Sequence, residues 1–201
     1  NFKIPNRIRQ FGIFFRRDLQ AKLANRQYVF INLMETPILA IILAALIRYF
    51  NIDPSNTSGY TFSDNPNITV YLIISVIIAF FVGITLSSEE IINDKKILKR
   101  EAFLNLSRSS YLTSKGVLMA IITAVQSLLF VMIGNYILEI KDMNMAYWGI
   151  LFSTAVFATL MGLNLSDAFN KTVNIYIIIP FLVIPQLILS GVFVSFDQLN
   201  P

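Results

Sequence analysis

The sequence predicts an all-α membrane protein, a bundle of transmembrane helices, and three observations lead there. Of its 201 residues, 55% are hydrophobic and only 14% are charged, where soluble domains carry about a quarter. The charges fall in blocks, and the apolar runs between them approach the ~20 residues a helix needs to cross a bilayer. Lys and Arg also gather on alternate sides of those runs, the asymmetry that orients a polytopic membrane protein.

The elements follow in chain order. Residues 1–27 are basic, with Phe2, Ile4, Ile8, Phe11, Phe14, Phe15 and Leu19 at roughly helical spacing. They read either as an amphipathic helix lying in the membrane interface or as a basic flank that sets topology. The first span is 28–50, with Thr36-Pro37 expected to kink it near its start. A polar loop leads to the second span, 68–87. A charged segment, 88–115, precedes the third span at 116–138. The fourth, 147–165, and the fifth, 173–196, complete the chain, the last carrying Pro180 and Pro185. No internal repeat is visible, so two halves of a pseudo-symmetric transporter are not expected. The chain starts at Asn1 and stops at Pro201 just after an apolar run, as expected of a single transmembrane domain (1–201) that is a fragment of something longer.

Orientation follows from seven Lys/Arg before the first span and six between Lys95 and Lys115, against none between Asn51 and Asn67. The N-terminus and the 88–115 segment are therefore expected to be cytoplasmic. Arg48, at the far end of span one, dissents and is expected to snorkel into headgroups.

Several chemistries are excluded. There is no Cys and no His, which removes disulfides, thiol catalysis, Cys/His zinc sites and His-based triads. No P-loop motif is present to cradle nucleotide phosphates. The net charge of +4 flanks apolar helices and does not form a nucleic-acid-binding face. No catalytic, cofactor-binding or metal-ligating set emerges. Glu35, one turn into span one, is the ionisable residue to watch within a span, with Arg26 as candidate partner. Asn32, Gln126, Asn135, Asn164 and Gln186 suit interhelical hydrogen bonds, and Ala40/Ala44, Ala120/Ala124 and Ala158/Gly162 suit close helix approach.

The 88–115 segment spends nearly thirty residues where a hairpin needs only a few. Ile91, Ile92, Ile97, Leu98, Phe103 and Leu106 interleave with charges, which suggests an amphipathic helix continuing span two to meet a cytoplasmic partner. A solvated loop is the plainer alternative.

Here the residues resemble a family. Asp94-Lys95-Lys96-Ile97-Leu98-Lys99-Arg100-Glu101, then Ser110-Tyr111 and Ser114-Lys115, resemble the coupling-helix region of ABC-2 type transporter membrane domains, closest to the ABCG/White branch. Gln10-Phe11 through Arg16-Arg17 resembles that branch's connecting helix, and Leu189-Ser190-Gly191-Val192-Phe193-Val194 the end of its fifth transmembrane helix. Three departures stand out: Asp94 where Glu is usual, Asn105-Leu106-Ser107 in place of a Gly-x-Tyr element, and a sixth helix absent after Pro201.

The resemblance implies five helices of an expected six-helix, type V exporter-like domain that pairs, as a homodimer, around a central pathway. A nucleotide-binding domain, fused upstream or separate, would hydrolyse ATP with Mg, and this chain would bind no cofactor and catalyse nothing itself. Asp94, Arg100 and Glu101 would couple to that ATPase, and Arg17 and Glu89 would form a polar relay. Val82, Phe80, Phe81, Ile184 and Leu187 would line the substrate cavity, with Val192 and Phe193 as the plug closing it. The implied function is ATP-driven efflux of a hydrophobic or amphipathic substrate across the cell membrane, a bacterial inner membrane by composition. For each residue, ordinary helix packing or solvation is the plainer alternative. Two other functions compete: an ion-coupled secondary transporter, and a non-transporting scaffold docking a cytoplasmic protein.

Overall fold

The computed structural model describes residues 6–48, 60, 65–101 and 107–189. Seven helices occupy them: α1 (Arg7–Ala24), α2 (Arg26–Ile47), α3 (Ile68–Ser87), α4 (Glu90–Glu101), α5 (Arg108–Ile137), α6 (Asn144–Ala168) and α7 (Thr172–Leu189). No strand occurs among the described residues. Helices α2, α3, α5 and α6 are long and apolar enough to cross a bilayer, and α7 is a shorter apolar helix as far as it is described. The class expected from the sequence, an all-α membrane protein, is the one observed.

Local chemistry sets the boundaries. The Asn6 side chain accepts from the Arg7 N–H, Asn25 from that of Tyr28, and Ser107 from that of Ser110, each satisfying an N–H that has no partner within its helix. Asn25 alone separates α1 from α2. Ser107 starts α5 two turns before the expected span, because Ser110, Tyr111, Ser114 and Lys115 find buried partners and stay helical. The 88–115 segment thus resolves into α4 and the first turns of α5. At the other end of α5, Glu139 takes a left-handed conformation (φ 56°), and the Ile140 N–H returns to the Asn135 carbonyl at 3.0 Å, a helix stop usually made with glycine.

The four membrane-length helices, α2, α3, α5 and α6, alternate in direction, and α4 continues α3. One end of the bundle gathers α1, α4 and the α6–α7 turn. At the other end Arg48 ion-pairs with Glu139 at 2.8 Å and lies 4.7 Å from the Tyr60 ring centre, while the Tyr60 hydroxyl donates to the Leu138 carbonyl. Arg48 is therefore clasped by its neighbours instead of reaching away alone. Pro37 sits at mid-helix, not near the start, because α2 begins at Arg26. A proline there removes one ladder hydrogen bond. One turn earlier, the Gln126 amide of α5 donates to the Asn32 carbonyl at 2.9 Å.

Helices α3 and α6 make the closest approach. A Cβ on Gly83 would lie 2.6 Å from the Ala155 carbonyl oxygen, and one on Gly162 would lie 2.6 Å from that of Ile84. Ala158 is fully buried between them, so the Ala158/Gly162 pair serves the close approach its spacing suggested. In lipid, where apolar surface gains little from leaving the solvent, this backbone proximity and its dispersion contacts supply much of the association. Asn135 donates to Asn144 at 2.7 Å, whereas Asn32 and Asn164 donate to carbonyls four residues back in their own helices.

Gly162→Val should therefore separate α3 from α6 and cost about 1–3 kcal/mol, the usual range for overpacking. Thermal unfolding of purified protein in detergent checks this: Gly149→Ala, where an added Cβ meets nothing, should hold or slightly raise the midpoint, since alanine favours a helix over glycine, and Gly162→Val should lower it.

Candidate functional site

Polar residues concentrate where α1, α4 and the first turns of α5 meet. Each helix contributes a pair four residues apart, hence on one face: Asp18 and Lys22, Glu90 and Asp94, Tyr111 and Lys115. The Lys115 side chain is only 5% exposed, and its ammonium pairs with Asp18 at 2.9 Å, Glu90 at 3.0 Å and Asp94 at 2.9 Å. The ammonium donates a hydrogen bond to Glu90 and faces the carboxylates of Asp18 and Asp94 at ion-pair distance, so its charge is met from three sides. The second oxygen of Glu90 binds Lys22, whose ammonium also reaches the Tyr28 hydroxyl at 3.2 Å. The Tyr111 hydroxyl donates to Asp94 at 2.8 Å. Three carboxylates and two ammonium groups leave a formal charge of −1.

Further contacts fasten α1 to α5. The Gln10 side chain accepts from the Ser107 N–H at 2.8 Å, and the Ser110 hydroxyl donates to the Arg7 carbonyl at 3.0 Å. Phe14 meets Tyr111 edge-on with centroids 5.7 Å apart.

The other flank of α4 is held by α6. The Ser166 hydroxyl accepts from the N–H groups of Ile91 and Ile92, both at 3.0 Å, capping α4 from a different helix. In return the Lys95 ammonium donates to the carbonyls of Asp167 at 3.0 Å and Phe169 at 2.6 Å and to the Asn170 side chain at 3.1 Å. A cation on the last carbonyls of a helix satisfies groups that lack partners and opposes the negative end of its dipole. Arg108 pairs with Asp167 at 2.8 Å, but with side chains 73% and 45% exposed this bridge is worth little.

A cleft of about 710 Å³ opens beside the ion cluster, lined by Asp18, Glu90, Asp94 and Lys115 together with Glu35, Glu89 and Tyr176. Glu89 accepts from the Tyr176 hydroxyl of α7 at 2.9 Å. Arg17 lies over the Phe14 ring and beside Asp18, so Arg17 and Glu89 are not brought together. Arg26, nine residues before Glu35 on the same helix, is roughly 13 Å away along the axis and does not serve as its partner.

The remaining expected residues divide. Phe80 is buried against Ile84, Ala158, Ile175 and Ile179. Val82 is buried beside a cavity of only about 20 Å³. Both are packing residues within this chain, while Phe81 and Ile184 are exposed and Leu187 is half-buried. Asp94 turns inward to Lys115 and Tyr111, whereas Arg100 is exposed in the last turn of α4. Glu101 closes α4. Val192 and Phe193 lie outside the described residues.

An amphipathic helix fastened by buried ions to one end of a bundle of apolar, membrane-length helices defines a polytopic membrane protein. Residues 9–201 match the family model of the ABC-2 type transporter, and the chain belongs to that family. It is accordingly a membrane permease component of a transporter. A comparison with curated proteins found no match.

Removing one partner of a buried ion cluster leaves charge uncompensated at a cost of about 3–5 kcal/mol. Lys115→Met should fall in that range, because it strands three carboxylates. Asp94→Asn should cost much less, since it brings the cluster to neutrality and keeps an acceptor for Tyr111. Denaturant titration of the two variants in detergent tests the order; equal losses would contradict a Lys115-centred cluster.

Proposed function

We propose that this chain is the membrane-spanning part of an ATP-driven exporter that moves a hydrophobic or amphipathic substrate by alternating access, with α4 as its coupling helix and α1 as its connecting helix. The observation that carries this reading is the Lys115 cluster, which makes α4 one mechanical unit with α1 and α5. ATP and Mg are used on a nucleotide-binding domain, fused or separate, that docks on the exposed end of α4 around Arg100 and Glu101. Asp94 acts from behind, by holding α4 through Lys115. The polar relay runs through Asp18, Lys115 and Glu90, with Glu89 joined to α7 through Tyr176.

The substrate route lies between two copies of the chain. Its interior offers beside Val82 a cavity of about 20 Å³, room for about one water, so the exposed Phe81, Ile184 and half-buried Leu187 supply the wall, with Val192 and Phe193 as the plug. Positive residues at the α1 and α4 end support a cytoplasmic N-terminus in a cell-membrane protein, a bacterial inner membrane by composition.

The test uses the full-length transporter with its ATPase in proteoliposomes. Arg100→Glu should leave thermal stability unchanged and cut substrate-stimulated ATP hydrolysis about tenfold, within the range of ordinary coupling energies. Transport that continues without ATP and collapses when an ionophore dissipates the gradients would sink the reading and favour an ion-coupled carrier working through Glu35.

A further inference from the structure

A second groove, of about 190 Å³, runs between α1, α2 and α5, and no part of the proposed cycle uses it. Its walls are Leu19 and Leu23 of α1, Val29 and Leu33 of α2, and Ile121 and Val125 of α5. Leu23, Leu33, Ile121 and Val125 are exposed along its rim. Because α2 and α5 are both membrane-length apolar helices, the groove opens on hydrocarbon.

Each of two walls carries a charge at its start. Arg26, Val29 and Leu33 stand at i, i+3 and i+7 on α2, and Arg16, Leu19 and Leu23 at the same spacing on α1. Residues at this spacing share a helix face, so each apolar wall runs into an arginine. Both arginines are exposed. Their guanidinium groups make no ion pair or hydrogen bond with the described residues. Lys22, which also lines the groove, is already committed to Glu90. Arg16 and Arg26 are thus two uncompensated cations beside an apolar slot, at the end of the bundle that meets the membrane surface.

We propose that this groove is a lipid site: one acyl chain of an anionic phospholipid from the surrounding bilayer lies between α1, α2 and α5, and the field of Arg26 at the start of α2 and of Arg16 further back on α1 selects its anionic headgroup. Charge complementarity selects the anionic headgroup, because a juxtamembrane cation favours an anionic over a neutral surface by about 1 kcal/mol, roughly fivefold. The occupied groove ties α1 to α2 and α5 from the lipid side, opposite the hold that Lys115 exerts from within.

The chain has no cysteine, so Ile121→Cys in the full-length protein, in a background without other cysteines, gives a single site for a bimane fluorophore. The labelled protein is placed in phosphatidylcholine nanodiscs containing equal small fractions of acyl-nitroxide phosphatidylglycerol or acyl-nitroxide phosphatidylcholine. Quenching by the glycerol lipid should exceed that by the choline lipid several-fold, by about fivefold for each arginine that contributes. Arg16→Ala with Arg26→Ala should equalise the two lipids, and Val29→Trp, which fills the slot, should reduce quenching by both. Equal quenching in the unsubstituted background, a preference that survives loss of both arginines, or quenching indifferent to Val29→Trp would each overturn the assignment.

Discussion

The arrangement of this bundle's basic end depends on one ammonium group. Lys115 stands at the point where α5 passes from polar to apolar sequence, and burial there would be prohibitive for an unpaired charge. Three carboxylates remove that penalty, but they come from two other helices: Asp18 from α1, Glu90 and Asp94 from α4. The requirement is therefore geometric as much as electrostatic. Helix α1 must lie across the start of α5, and α4 must turn its Glu90/Asp94 face inward. Neither displacement is possible without separating several charges in a low-dielectric setting, where each contact is worth more than in water. The ions fix three helices as a single body.

The same helix is held on its far side by chemistry of a different kind. Ser166 caps its N-terminus, and Lys95 caps the end of α6. These are short, directional bonds between helix termini, and they link α4 to the turn leading into α7. The close packing of Gly83 and Gly162 then joins α6 to α3. Any displacement of α4 would consequently be divided between two routes, one through Lys115 into α1 and α5 and one through Ser166 and Lys95 into α6 and the turn before α7. Helix α3, which precedes α4 by only two residues, lies between these routes.

Much of the fold was legible in the sequence because its solvent is so restrictive. A bilayer demands long uninterrupted apolar helices, and such runs are visible without knowing what touches what. The amphipathic helix after the second span and the Ala158/Gly162 approach were legible for the same reason, since each is a local spacing. The ion cluster was not. Lys22 counted only as a topology-setting charge, Lys115 as one more such charge and as part of the Ser114-Lys115 resemblance, and Asp18 carried no signal of its own. The expected relay, Arg17 with Glu89, stands one residue before Asp18 of α1 and before Glu90, the first residue of α4. On α1 one residue is about 100° of rotation, enough to exchange the buried Asp18 for the half-buried Arg17. The one available signal was the repeated four-residue spacing of Asp18/Lys22, Glu90/Asp94 and Tyr111/Lys115, and it becomes meaningful only when three helices remote in sequence are known to share an end.

Where a substrate passes is constrained by what is already filled. Phe80 and Val82 occupy the interfaces that α3 makes within its own chain, and tight packing there is what holds α3 against α6. Opening that interior for a molecule larger than water would break the Gly83 and Gly162 contacts on which the bundle's cohesion rests. The polar cleft beside Glu35 and Glu89 is open, but it lies beside the ion cluster. What remains is the surface carrying Phe81 and Ile184, apolar and uncovered by the described residues of this chain. Under the proposed function a pathway needs a second wall, and a second copy of the chain would supply the same apolar residues without burying an unpaired charge.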